Sequence, residues 1–241
     1  MMNDVDRVLQ IIDSFSCCDL VTVSIEHLAE NEGSFFSGFM PQAATAIVLG
    51  HHVITEEEWT WYATPNGGEH CAADDHLLGV CRAIKAELEQ SAHEVKIVEY
   101  PRQSGLQFRY VAQAAGLGQI AKNAFLIHPE WGPWVHLRVM ATSAALSMQP
   151  RSVGAQGCDQ CGLCIEECPA NAISDDGFEG LQCRAYRKER GEYEPCGDRG
   201  ELRYCLRCAW VCPQGPRPVP RSRPGTSVEP AAQPDTADGT G

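Results

Sequence analysis

The sequence predicts an α+β protein in two parts, a mixed helix-and-strand domain followed by a small module built on cysteines. Three observations predict this. Nine of the thirteen cysteines lie between Cys158 and Cys212, seven of them in two tight groups. The stretch before them alternates short apolar runs with segments that are apolar at helical spacing. The stretch after them is rich in Pro, Gly, Ser, Thr and Asp and has two valines as its only large apolar residues. The expected boundaries are 1–149 for the first domain, 150–213 for the cysteine module and 214–241 for a disordered tail.

The elements follow in chain order. Asp4–Phe15 places Val5, Val8, Leu9 and Ile12 at helical spacing, and Leu20–Ile25 alternates as a strand. Ala43–Gly50 is a continuous apolar run and reads as a central strand buried on both faces. His51-His52 then marks its exit, at what would be the end of a parallel strand bordering a ligand crevice; as plain polar residues they need no ligand. Asp74–Gln90 puts Leu77, Leu78, Cys81, Ile84 and Leu88 on one face, with Asp74 as the expected cap. Val95–Val98 is a short strand, Phe108–Ala115 a helix closed by Gly116, and Ala124–His128 and Leu137–Ser143 are further strands. His76, near Cys71 and Cys81 in sequence, reads as a partly buried histidine, and Cys17-Cys18 as two small buried residues. Trp59, Trp61, Tyr62, Trp131 and Trp134 suit either core packing or a cofactor pocket.

Composition narrows the class. Apolar residues make up 44% and charged residues 21%, an ordinary balance for a soluble globular chain. The apolar runs are too short to cross a bilayer, and Met1–Gln10 has no apolar core of an export signal. The expectation is a cytoplasmic protein with no membrane partner. A formal charge of −13 disfavours a nucleic-acid partner, because such affinity comes largely from neutralised phosphates. The arginines of Arg184–Arg207 are interleaved with acids and read as charge compensation around a metal centre.

The first cysteine group, Cys158-Asp-Gln-Cys161-Gly-Leu-Cys164-Ile-Glu-Glu-Cys168-Pro169, is the C-x2-C-x2-C-x3-C-P run of two-cluster bacterial ferredoxins. Two-residue gaps let three thiolates from one loop take three corners of a cubane, while the fourth cysteine reaches the other cluster. Cys205-Leu-Arg-Cys208-Ala-Trp-Val-Cys212-Pro213 repeats the C-x2-C-x3-C-P half. Tetrahedral zinc is poorly served by a triple C-x2-C run, and a disulfide framework does not suit so uneven a distribution. The reading is two [4Fe–4S] clusters. Cluster one takes Cys158, Cys161, Cys164 and Cys212; cluster two takes Cys168, Cys205, Cys208 and either Cys183 or Cys196. The segment Gly116-Leu-Gly118-Gln-Ile-Ala121 matches G-x-G-x-x-A, but it follows a helix rather than a strand, which is the wrong context for a dinucleotide fingerprint. Its glycines read instead as places where backbone approaches a bulky cofactor.

Ala115-Gly-Leu-Gly-Gln-Ile-Ala-Lys-Asn123, Phe125-Leu-Ile-His-Pro-Glu-Trp-Gly132 and the two cysteine groups together resemble the epoxyqueuosine reductases, over about residues 40–213. That resemblance implies a nitroreductase-like, cobalamin-binding domain followed by a two-[4Fe–4S] ferredoxin-like module, shared with the reductive dehalogenases. It implies Cys183, in Leu-Gln-Cys-Arg-Ala-Tyr, as the last ligand of cluster two, and it sets Ala121 and Gly132 beside the corrin, the bulky cofactor that Gly116 and Gly118 would approach. It also implies electrons entering from an external ferredoxin or flavodoxin and passing through the clusters to cobalamin, which removes oxygen or halide from a substrate. The chain departs from the family pattern in one respect above all: no aspartate occurs between Asp75 and Asp159, where the family carries its proton donor. Glu99, Tyr100 and Tyr110 replace it as candidates, with Arg102 close by; a tyrosine assisted by a cation is what the dehalogenase relatives imply. Longer members carry a helical-repeat extension for tRNA contact, not matched here. The expected function is therefore an iron–sulfur, cobalamin-dependent reductase of a small molecule. The alternatives are a tRNA epoxyqueuosine reductase, and an electron-transfer or corrinoid-reducing protein with no substrate of its own.

Overall fold

The computed structural model describes residues 3–66, 68–148, 158 and 160–221. The Asn3 side chain accepts the Asp6 amide at 2.8 Å and starts α1 (Asp4–Asp13). β1 (Cys18–Ser24), α2 (Glu30–Phe39) and β2 (Thr45–His52) follow. Two short strands, β3 (Trp61–Ala63) and β4 (Glu69–His70), lead into the long α3 (Ala72–Gln90). Then come β5 (Val95–Ile97), α4 (Pro101–Ser104), α5 (Phe108–Ala114), β6 (Gln119–Ile120), β7 (Leu126–Ile127) and β8 (Val135–Thr142). The cysteine module holds α6 (Leu163–Glu166), β9 (Ile173–Ser174), β10 (Gly177–Phe178), α7 (Gly180–Glu189), β11 (Glu201–Leu202) and α8 (Arg207–Trp210).

The main sheet has the order β1-β2-β8-β5, and every pairing in it is antiparallel. This corrects the expectation of a parallel strand before His51-His52. β2 is nonetheless central and buried on both faces, because successive side chains point to opposite sides of the pleat. Ala46 and Val48 join Val139, Ala141, Phe36 of α2 and Val111 of α5 in one core. Ile47 and Leu49 join Met140, Val8 and Ile12 of α1 and Leu77, Ile84 and Leu88 of α3 in another. Helices on both sides of the sheet explain why its central strands are largely apolar on both faces. Removing a side chain such as the fully buried Phe36 would cost about 3–5 kcal/mol, the lost transfer energy plus the cavity.

A third core ties the two parts together. Val53, Cys71 and Trp134 of the first domain pack with Ala209 of α8, and Trp59, Trp61, Leu206 and Trp210 close around them. Trp59, Trp61 and Trp134 are thus packing residues of this seam, and Trp131 is stacked on His52 and His128 with centroids at 5.2 and 3.9 Å. The small sheet β11-β3-β4 adds backbone pairing across the same seam.

Two boundary expectations are corrected. Residues 214–221, assigned to the disordered tail, lie back against the first domain. The Val219 amide donates to the Ile54 carbonyl at 2.8 Å, Val219 accepts from the Glu56 amide at 3.0 Å, and Arg221 pairs with Glu57 and Glu201 at 2.9 and 2.8 Å. The rest of that expected tail, 222–241, and residues 149–157 lie outside the described residues. Asp74 does not cap α3; Cys71 holds the cap position, and Asp74 lies buried inside the first turn. Among the described residues, no helix is long and apolar enough to cross a membrane.

Candidate iron–sulfur centre and adjoining polar cavity

The cysteine spacing folds as two short helical turns, each flanked by thiols. α6 carries Cys164 and is preceded by a turn in which the Cys161 amide donates to the Cys158 carbonyl at 3.1 Å. α8 carries Cys208, with Cys205 before it and Cys212 after it. Cys158, Cys161, Cys164 and Cys212 line one pocket, walled by Leu163, Ile127, Ala121 and Asn123. The Asn123 amide donates to the Cys208 carbonyl at 3.1 Å and pins α8 to the first domain. Burial raises the thiol pKa of Cys164, and the neighbouring Cys158, Cys161 and Cys212 raise it further by charge repulsion.

The second nest gathers Cys168, Cys183, Cys205 and Cys208. Burial pushes the Cys208 thiol up to about 12, and Cys205, Cys183 and Cys168 add to it. Burial also raises Cys183, offset by the Arg187 guanidinium and reinforced by Cys168 and Cys205. Cys183 packs with Cys168 and Cys208 in one small core, whereas the Cys196 Sγ donates to the Glu201 carbonyl at 3.1 Å inside a local bridge. Four partly buried thiols that repel one another as thiolates are stabilised as ligands by the positive charge of iron, so both donor sets fit [4Fe–4S] clusters. Arg187 sits 4.6 Å from the ring centroids of both Tyr193 and Tyr204 and pairs with Glu192, whose carboxylate accepts the Cys205 amide at 2.8 Å. Arg187, one of the interleaved arginines, therefore braces the second nest.

Next to this nest lies a polar cavity lined by Trp61, Glu69, Asp74, Glu99, Tyr100, Arg102 and Arg138, among others. The Tyr204 hydroxyl, one residue before Cys205, donates to Glu69 Oε2 at 3.3 Å and links nest to cavity. At its floor, Arg138 Nε and Nη2 donate to Asp74 Oδ1 and Oδ2 at 2.7 and 2.5 Å, and His136 Nε2 donates to Oδ1 at 2.9 Å. Burial would raise the Asp74 carboxyl, but the hydrogen bonds from His136 and Arg138 outweigh it and hold it at about 2. Tyr100 stacks on His136 at 5.7 Å, with the Arg138 guanidinium 5.3 Å from its ring centroid. Burial, then the negative charges of Cys71 and Asp74, raise its pKa well above that of a free phenol.

Glu99, Tyr100 and Arg102 therefore meet at one cavity, with Glu99 exposed at the rim. Tyr110 does not join them. It is 44% exposed on α5, beside Arg109 at 5.1 Å. The cation at Tyr100 is Arg138 rather than Arg102, which pairs with Glu69. Sequence reading missed Asp74, His136 and Arg138 as a site. The available signal was a His and an Arg inside an otherwise apolar strand, since buried charges must be paired.

The glycines expected beside a corrin serve the chain's own packing. A Cβ on Gly118 would stand 2.4 Å from the Ile127 carbonyl oxygen, and one on Gly132 (φ +59) would stand 1.8 Å from that of Gln214. Gly116 follows the end of α5, and Ala121 faces the first thiol nest. The spaces at Gly118 and Gly132 are filled by protein backbone. Gly118 and Gly132 therefore do not open a cradle for cobalamin.

Comparison with known proteins agrees with this architecture. A 4Fe-4S binding domain matches residues 155–174. An epoxyqueuosine reductase of Staphylococcus aureus is 29% identical over 136 residues, covering 54% of this chain and 35% of that one. An epoxyqueuosine reductase solved with an epoxyqueuosine-modified tRNA-Tyr stem loop superposes with a TM-score of 0.62 at 16% identity, covering 86% of this chain and 64% of that one. A reductive dehalogenase described for B12-dependent dehalogenation superposes at 0.55 and 18% identity, covering 89% and 32%. The matched regions span between 28% and 49% of the curated relatives' length. The chain thus resembles epoxyqueuosine reductases in sequence, and its α+β fold is the one they share with reductive dehalogenases.

Proposed function

We propose that this chain is an iron–sulfur reductase of the epoxyqueuosine reductase type, whose reduction site is the cavity walled by Glu69, Tyr100 and Arg138. The observation that carries the reading is the Tyr204–Glu69 hydrogen bond, which sets the second thiol nest against the cavity wall. Cys158, Cys161, Cys164 and Cys212 would hold one [4Fe–4S] cluster and Cys168, Cys183, Cys205 and Cys208 a second. Such clusters supply electrons one at a time, drawn from an external donor of the ferredoxin or flavodoxin class. Tyr100 keeps its proton at neutral pH because burial disfavours the phenolate. It can therefore deliver that proton to an oxygen leaving the substrate, and Arg138 then faces the phenolate formed. The Asp74 carboxylate holds Arg138 in place and leaves it no freedom to swing out.

The names of the relatives favour the epoxyqueuosine of a tRNA as substrate over the small molecule expected from the sequence. Reduction would consume two electrons and two protons and release the epoxide oxygen as water. A small-molecule substrate remains as a second reading because the cavity lining includes Glu69, Asp74, Asp75 and Glu99 and the chain carries a formal charge of −13. Both alternatives meet in one experiment. Anaerobically reconstituted protein is given dithionite and epoxyqueuosine-bearing tRNA, with and without added cobalamin, and the modified nucleoside is analysed by mass spectrometry. Loss of the epoxide oxygen dependent on Tyr100 supports the proposal. Full iron content with no conversion under either condition sinks it, and conversion only with cobalamin would place the reduction on a cofactor for which Gly118 and Gly132 leave no room.

A further inference from the structure

Outside the thiol nests and the polar cavity, three metal-binding side chains meet between the sheet and α3. Cys18 opens β1 and is paired directly across the sheet with His51 near the end of β2, while His76 stands in the second turn of α3. The Cys18 Sγ lies 3.3 Å from His76 Nε2 and 4.0 Å from His51 Nδ1, and the three ligand atoms lie within 4.8 Å of one another. We propose that Cys18, His51 and His76 form a three-ligand site for a borderline-soft divalent metal, of which zinc is the type.

The geometry suits that ion. Tetrahedral zinc with ordinary Zn–S and Zn–N bonds needs S···N separations of about 3.6 Å and N···N separations of about 3.3 Å. The two observed S···N distances fall on either side of the first value, so small side-chain rotations close the site. The chemistry suits it as well. One thiolate and two neutral imidazoles around a divalent ion leave a single positive charge. Glu58 answers it: its Oε2 lies 3.3 Å from His51 Nε2, the ring nitrogen turned away from the site. That carboxylate is itself held, Oε2 accepting the Ile54 amide at 3.0 Å and Oε1 the Thr55 hydroxyl at 3.2 Å. A carboxylate that orients a ligating histidine is the usual outer support of a metal site and fixes which nitrogen is free to bind. The His51 ring stands 4.7 Å from that of His76, and Phe15 closes one side with an edge contact to His76 at 5.8 Å. With three protein ligands, the fourth position is left to water or an exogenous anion, the pattern of a reactive rather than a closed zinc site.

The test uses the full chain with its clusters loaded anaerobically. Iron and zinc are measured together after equilibration with zinc and removal of excess metal. One zinc per chain in addition to the irons is expected, and cobalt in its place should give a thiolate-to-cobalt charge-transfer band. Cys18→Ser or His76→Gln should weaken metal binding at least 100-fold at unchanged iron content. Glu58→Gln should weaken it 10–100-fold, the usual effect of losing a supporting carboxylate. A Cys196→Ser control should bind like the parent. No metal beyond iron in the parent, or undiminished binding in Cys18→Ser and His76→Gln variants with full iron content, would overturn the proposal and leave a thiol–imidazole hydrogen bond.

Discussion

Replacing Asp74 by Asn removes one charge from a buried group of three and leaves the Arg138 guanidinium stranded. Asp74 and Arg138 are 4% and 6% exposed, so water cannot take over the lost interaction. The structure gives two routes to the cost. Holding the Asp74 carboxyl at about 2 against an ordinary 3.8 corresponds to roughly 2–3 kcal/mol favouring the ionised side chain in place. Removing one partner of a buried pair costs about 3–5 kcal/mol, because the other charge stays desolvated. A loss of about 3 kcal/mol satisfies both. For a chain of this size that corresponds to a fall in Tm of about 6–12 °C. The assay is thermal unfolding by circular dichroism, anaerobic, at neutral pH and one scan rate, on proteins of matched iron content. Asp74→Leu with Arg138→Met should recover at least half of the loss, since no charge is then left without a partner. A D74N protein melting within about 2 °C of the parent would refute the reasoning, for the carboxylate would then be doing nothing its amide cannot.

Cys183→Ser should halve the iron content, from near eight to near four per chain, while Cys196→Ser leaves it unchanged; iron analysis with EPR of the dithionite-reduced protein reads both. Tyr100→Phe should lower turnover by about 10²–10⁴-fold at unchanged iron content, the usual contribution of a general acid, whereas Tyr110→Phe should stay within about twofold. Equal activity of the two variants would remove Tyr100 from its assigned role. Gly132→Ala should destabilise by about 2–3 kcal/mol, because its φ of +59 disfavours a side chain and the new methyl would meet the Gln214 carbonyl. Limited proteolysis should then cut first within 214–221.

What was legible in the sequence and what was not divides along physical lines. The Ala43–Gly50 run announced a doubly covered strand because its residues are apolar on both faces with the single exception of Thr45. It did not announce the strand's direction, which depends on partners far away in the chain. The proline-terminated cysteine groups carried their spacing in the sequence, since Cys158, Cys161 and Cys164 of the first nest come from one local turn, and Cys205 and Cys208 of the second from another. Asp74 was readable as a helix cap because Asp is a common cap, but its real partners lie 62 and 64 residues away on β8. The three ligands of the proposed zinc site were likewise invisible as a set: Cys18 and His51 become neighbours only through strand pairing, and His76 only through docking of α3. The strands of the β11-β3-β4 sheet are two or three residues long and offer no alternation to detect. The glycines of 116–132 signalled close approach correctly, but what approaches at Gly118 and Gly132 is the chain's own backbone.

The return of residues 214–221 has a consequence for electron flow. The cysteine module leaves the first domain after β8 and is fastened to it again at β3 through β11, at Asn123 through α8, and at Thr55 through Val219. A module hung on one linker would sample a range of separations from its acceptor, and tunnelling falls off exponentially with separation, so its rate would be set by rare close visits. Under the proposed function, three fastenings would make the module a fixed electrode. Transfer would then need no search, little rearrangement would accompany the change of charge, and an outside donor would have only to find an exposed edge of the module rather than to carry it into place.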